Sequence, residues 1–170
     1  LRNFSMMDSI NGTIDRKKHR ENSLFIGGIL NKQQGENLKF NLQANLGVVG
    51  VDLGEFNLEG EVETAFAIAG KRTTLSGHAY IKNLTPNYLQ KHYHSKYFWW
   101  NKDFGNMRRV FVGGKLYVPF TNTTLSAGVE NLQNYIYFDK DRKSTQYSSN
   151  VQVLTVGVDQ NMRLGVFNWD

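Results

Sequence analysis

Three glutamates, Glu59, Glu61 and Glu63, recur at every second position of one short stretch. On an extended chain, residues two apart point the same way with Cα atoms roughly 6.5 Å apart. Paired carboxylates are the equipment of glycoside hydrolysis, one serving as acid and the other as base or nucleophile. A run of three, with no other motif to build a pocket around it, fits that reaction poorly, and no catalytic role is expected. Basic residues recur in the same alternating manner elsewhere: Lys39, Arg72, His78, Lys82, Arg109 and Lys115. Facing rows of opposite charge can set a transverse field across a water-filled passage. They can equally cross-pair and hold neighbouring strands together.

Other chemistry is thinly represented. His92 and His94 have a spacing that a metal ion could use, but no cysteine is present and the nearest acid in sequence is Asp103. A lone His-x-His in a polar stretch is ordinarily unligated, so neither a metal nor any other cofactor is expected. No nucleophile elbow, phosphate-binding glycine loop or dinucleotide fingerprint occurs, and the chain is not expected to be an enzyme. Asn11-Gly-Thr, Asn83-Leu-Thr and Asn122-Thr-Thr match the glycosylation pattern, which would mean little if the source were bacterial. The basic run Arg16-Lys17-Lys18-His19-Arg20 reads as a solvated segment. Net charge is +5, yet the positive residues are scattered rather than gathered into a stripe, so nucleic acid is not an expected partner.

The elements that must carry these charges have a period of two. From Leu38 to Val48, the residues Leu38, Phe40, Leu42, Ala44, Leu46 and Val48 alternate with Lys39, Asn41, Gln43, Asn45 and Gly47. Phe56, Leu58, Gly60, Val62, Thr64, Phe66 and Ile68 alternate with the glutamate-bearing set. A helix would scatter these apolar residues around its circumference, whereas a strand collects them on one face. The pattern resumes after Gly70-Lys71, again through Val110, Val112 and Leu116, through Leu125 to Val129, from Leu154, and from Met162 to Val166. The segment Leu24–Leu30 is apolar on both faces. About eight long strands are predicted.

Strand length separates membrane walls from ordinary sheets. Soluble strands centre on about five or six residues, whereas a tilted strand crosses a bilayer with about 9–11. Short connections fall near residues 33–35, 70–71, 119–123 and 159–161, and long ones at about 85–106 and 140–149. Counted along an up-and-down meander, the short turns share one rim and the long loops the other, as in outer-membrane barrels. The connection near Val51–Leu53 is a short exception on the long-loop rim. Of 22 aromatic residues, 13 lie between Tyr88 and Phe138. Tyr97, Trp99, Trp100, Tyr135 and Tyr137 are candidates for the membrane interface, where an amphipathic ring suits the headgroup region. Trp99-Trp100 could also stack on a sugar.

The expected architecture is an all-β, antiparallel up-and-down transmembrane barrel, or part of one. Residues 1–170 would form one domain or a portion of a larger barrel, with a polar lead-in at 1–22 and a long aromatic-rich outer loop at 85–106. In such a wall the usual sense of burial inverts. Lys39, Glu59, Glu61, Glu63, Arg72, His78, Lys82, Arg109 and Lys115 would face an aqueous lumen. Leu38, Phe40, Leu42, Leu46, Phe56, Leu58, Val62, Phe66, Val110, Val112 and Leu116 would face lipid. The expected partners are outer-membrane lipid and, in a scaffold role, other outer-membrane proteins docking on Tyr93–Phe104. A soluble lipocalin-like barrel, with the apolar set lining a ligand cavity, is the competing arrangement.

Two segments resemble the putative porin family of Bacteroidota outer membranes. "NLTPNYLQKHYHSKYFWWNKDF" is similar to that family's Pro-x-Tyr-Leu…Tyr…Ser…Tyr-x-Trp segment, and "GGKLYVPFTNTTLSAGVENLQNYIYFD" to its Leu-Ser-Ala-Gly…Asn-Tyr-Ile-Tyr-Phe-Asp segment. The stretch "VLTVGVDQNMRLGVFNWD" is similar to the strands that follow, and the likeness covers most of residues 54–170. It implies a bacterial outer-membrane location and passive diffusion of small hydrophilic solutes. It also implies that residues 1–170 are an internal part of a longer chain.

Overall fold

Alternation decides the fold from the first long strand onward. The computed structural model describes residues 1–10, 13–35, 37–95, 97–164 and 167–169. Seven strands form one antiparallel sheet: β3 (Ser23–Lys32), β4 (Leu38–Gly50), β5 (Phe56–Ile68), β6 (Lys71–Leu84), β9 (Met107–Val118), β10 (Thr123–Gln133) and β13 (Val151–Gln160). Their spatial order follows chain order without a crossover, so the sheet is an up-and-down meander. It is open, with β3 and β13 as its edges, a form compatible with part of a barrel wall. Among the described residues, no helix is long and apolar enough to cross a membrane.

Shorter elements decorate one rim. β1 (Arg2–Ile10) and β2 (Thr13–Glu21) pair with each other, so the expected polar lead-in is itself a strand pair. The connection from β6 to β9 holds α1 (Tyr88–Lys91), β7 (His92–His94) and β8 (Trp99–Asn101). That from β10 to β13 holds the hairpin of β11 (Tyr135–Phe138) and β12 (Ser144–Tyr147). Connections 33–37, 69–70 and 119–122 lie on the opposite rim, giving the predicted division into long-loop and short-turn rims. The eighth expected strand, from Met162, is a short pair of β14 (Met162–Leu164) and β15 (Phe167–Trp169). Gly165 and Val166 lie outside the described residues.

The long-loop rim is tied together by specific contacts. Asn87 caps α1 by accepting from the Gln90 N–H, while the Gln90 side chain accepts from the Asn87 N–H, a reciprocal capping box. Trp100 is buried: its indole N–H donates to the carbonyls of Leu89 and Gln90, and its ring stacks on Tyr93 at 4.6 Å. It also meets Phe138 edge-on at 6.0 Å, joining the two long loops. Gln146 strengthens that junction by accepting from the Gly105 N–H and donating to the Gly105 carbonyl. In the β11–β12 turn, the Lys143 N–H donates to the Asp139 carboxylate and holds its pKa below the ordinary aspartate value. The β1–β2 pair docks on the same rim through an Arg2–Asp52 ion pair and through His19, which stacks on Tyr88 at 3.9 Å.

Register along β5 and β6 is set by a two-residue turn. Ala69 and Gly70 both have positive φ, 47° and 77°, the combination that the right-handed twist of a hairpin favours. Glycine adopts it freely, whereas alanine carries a Cβ penalty of about 1–2 kcal/mol in the left-handed region. Ala69→Asn recreates the preferred Asn-Gly turn and is expected to raise stability by up to about 1 kcal/mol. Urea unfolding in detergent micelles checks this; a loss of stability would show that the turn adopts another geometry.

Candidate functional site

Pairing in strict register sorts the side chains into two faces. Leu38, Phe40, Leu42 and Leu46 of β4 pair with Thr64, Val62, Gly60 and Phe56 of β5. The rows continue across β6 and β9, where Ala79 meets Val112, Ile81 meets Val110 and Leu75 meets Leu116. All eleven candidate lipid-facing residues therefore occupy one face. The nine candidate lumen residues occupy the other, although they come from four different strands.

The polar face is organised as rungs running across the strands. One rung reads Gln43, Glu59, Tyr80, Phe111 and Glu130; the next toward the short turns reads Asn41, Glu61, His78, Gly113 and Gly128. Beyond it lie Lys39, Glu63, Ser76, Lys115 and Ser126, and on the long-loop side Asn57, Lys82 and Arg109. Arg72 shares the face but sits opposite Ala67, two rungs further toward the short-turn rim.

A chain of polar contacts crosses four strands. Glu59 of β5 lies diagonally between His78 and Lys82 of β6, with separations of 2.9 and 3.1 Å. The Lys82 ammonium also sits 4.3 Å from the centre of the Tyr80 ring. The Tyr80 hydroxyl donates to Glu130 at 2.6 Å, reaching from β6 past β9 to β10. Arg109 of β9 donates through Nε to the same Glu130 oxygen at 2.7 Å and through Nη2 to the Tyr80 hydroxyl at 3.2 Å. Lys39 and Glu63, directly opposite across β4 and β5, form a separate exposed pair at 3.4 Å. Glu61 and Lys115 make no ion pair or side-chain hydrogen bond among the described residues.

The sheet curves around this polar face. A trough of about 710 Å³ is lined by residues of all seven strands, from Lys32 on β3 to Thr155 on β13. Only the concave side of an arc brings opposite edges to one cavity. Exposure agrees: Leu58, Val112 and Val156 on the convex face are 50%, 56% and 71% exposed. The side chains of Glu59 and Glu130 on the concave face are 30% and 17% exposed.

Three residues of this face, Tyr80, Phe111 and Glu130, were not singled out by sequence reasoning. Each stood in an alternating strand, but only the register reveals that Tyr80 and Glu130 share a rung. The interfacial aromatic candidates divide. Tyr97 and Trp99 are strongly exposed, Tyr135 and Tyr137 partly so and stacked in parallel at 6.3 Å, while Trp100 is enclosed by its own loop. His92 hydrogen-bonds the Asn101 side chain. Among the described residues, no group of three or more His, Asp or Glu side chains could hold a metal ion.

Glu130 accepts from two donors in a half-buried setting, whereas Lys39–Glu63 is exposed. Removing a charged acceptor from buried donors costs more than removing one member of a screened surface pair. Glu130→Ala is therefore expected to lower stability by about 1–2 kcal/mol, and Lys39→Ala by less than about 0.5 kcal/mol. Equal losses in micelle unfolding would show that the four-strand network adds nothing to simple pairing.

No curated protein and no solved structure matches the chain. The model of the family described as "Putative porin" matches residues 2–170. That match takes in the meander, both long loops and the charged concave face, and the chain belongs to this porin family.

Proposed function

We propose that the chain forms part of the wall of an outer-membrane diffusion pore, with the concave face lining an aqueous lumen and the convex face meeting lipid. The observation that carries this reading is the inverted distribution of polarity across one continuous sheet. Leucines, valines and phenylalanines cover the exposed convex side, while carboxylates, ammonium groups and an imidazole line the trough. In water, so large an apolar surface would drive association; in a bilayer it is the required surface. A lipocalin-like binding module needs the opposite arrangement, with the apolar set around the cavity.

Several features support a pore over a plain structural wall. β5 and β6 hold 13 and 14 residues, long enough to cross a bilayer at a steep tilt. Each of the five interior strands, β4, β5, β6, β9 and β10, has an antiparallel partner on both sides, the arrangement that hydrocarbon demands. Carboxylates and cations interleave on the lumen face, with Glu59, Glu61 and Glu63 on β5 and Lys82 and Arg109 on the next two strands. This arrangement suits passage of small hydrophilic solutes, since water and polar groups find partners along the whole wall.

Recording across planar bilayers containing the full natural chain tests the reading. Stepwise ion conductance is expected, and Glu59→Gln, Glu61→Gln and Glu63→Gln together are expected to shift ion preference toward anions. A purified, folded and inserted protein that carries no current would contradict the pore.

A further inference from the structure

Phe111 occupies an unusual place on the concave face. Its ring spreads over Gly113 on its own strand and Gly128 on the neighbouring one, which are direct cross-strand partners. A Cβ built at Gly113 would lie 2.7 Å from the ring, and one at Gly128 would lie 2.9 Å from it. Two facing glycines thus leave a flat bay in the wall, and the ring lies down in it. Tyr80 extends this aromatic surface, its ring 5.2 Å from that of Phe111 and inclined by only 21°. His78 adjoins at 5.5 Å.

Polar groups surround the aromatic floor. Glu61 and Lys115 line the same trough and have no partner among the described residues, offering a free acceptor on one side and free donors on the other. Ser76 and Ser126 add hydroxyls on the rung beyond. A flat ring edged by donors and acceptors of both signs matches a solute with one apolar C–H face and hydroxyls around its rim. A trough of about 710 Å³ is also of the size that small-molecule sites take.

We infer that Phe111, with Tyr80, Glu61 and Lys115, forms a saccharide-binding subsite on the pore wall, at which a neutral sugar stacks as it passes. The inference rests on the pore reading for its location and goes beyond it by naming the solute class. A zwitterion such as a dipeptide is the chief competitor, because Glu61 and Lys115 could take its two charges. Both side chains are exposed, however, so such charge pairing is weak and screened. Ring stacking depends on contact area and is not screened by salt.

The test is bilayer recording of the full natural chain during titration with maltose, with glycylglycine as comparator. Maltose is expected to reduce the ion current reversibly, and Phe111→Ala to raise the half-blocking concentration about tenfold. Phe111→Trp, which keeps a flat ring, is expected to retain the block. Phe111→Leu serves if the alanine variant does not fold, and the same loss is expected because leucine has no flat face. A conducting channel that maltose does not block, or that is blocked equally in Phe111→Ala, overturns the subsite and leaves the pore standing. Block by glycylglycine in place of maltose overturns it too. If the protein carries no current, saturation-transfer NMR with maltose on the micellar protein decides. A signal lost in Phe111→Ala supports the subsite, and no signal overturns it.

Discussion

A one-residue slip between β5 and β6 would move every side chain of one strand relative to the other's faces. Glu59, Glu61 and Glu63 would then share a surface with Leu75, Ala79 and Ile81, and the sheet would have no wholly apolar side. The ladder allows no such slip. The two-residue turn at Ala69-Gly70 fixes one end, and Leu38 to Leu46 on β4 hold their partners on β5 without a break. Among the described residues, a register irregularity falls only between Leu24 and Phe25, near the sheet edge and beside the tight approach of Gly47 to the Asp52 backbone. Everything else in the sheet depends on this register, because pairing in step is what separates charged from apolar surface.

Once the faces are fixed, the charges organise themselves by proximity. Cross-strand and diagonal neighbours are within reach of long side chains, so Glu59 takes both His78 and Lys82 while Lys39 takes Glu63. Tyr80 extends the network because its hydroxyl reaches farther than any carboxylate could, past Phe111 to Glu130. Phe111 does not obstruct that contact because it lies over the bay at Gly113 and Gly128. Gly113 and Gly128 therefore serve packing, since neither has a positive φ and a Cβ at either would meet the ring.

Much of this was legible in the sequence, for a definite reason. Alternation over β4, β5 and β6 is a local property, and so is the count of short and long connections that separates the two rims. What depends on distant pairing was not legible. Glu130 is an unremarkable alternate of β10 until the register places it beside Arg109 and Tyr80. Trp99 and Trp100 look alike as neighbours in sequence, yet adjacent residues of β8 point in opposite directions, and only Trp100 turns into the loop. The β1–β2 pair escaped notice because Thr13–Glu21 is polar at nearly every position and shows no apolar period. The basic run within it lies on a strand, and His19 at its heart stacks on Tyr88.

If water meets the glutamate face and lipid the leucine face, access to water must alternate along β5. These 170 residues hold no cysteine, so an introduced thiol reports on its own position once any cysteine elsewhere in the full chain is replaced by serine. Single variants Glu59→Cys, Glu61→Cys and Glu63→Cys, and Leu58→Cys, Val62→Cys and Phe66→Cys, should be made in the full natural chain and placed in lipid vesicles. Their reaction rates with a charged, water-soluble maleimide give the direct answer. The predicted result is a sawtooth along β5, fast at the three glutamate positions and slow at the three apolar ones. Uniformly fast labelling, or a sawtooth of opposite phase, would contradict it.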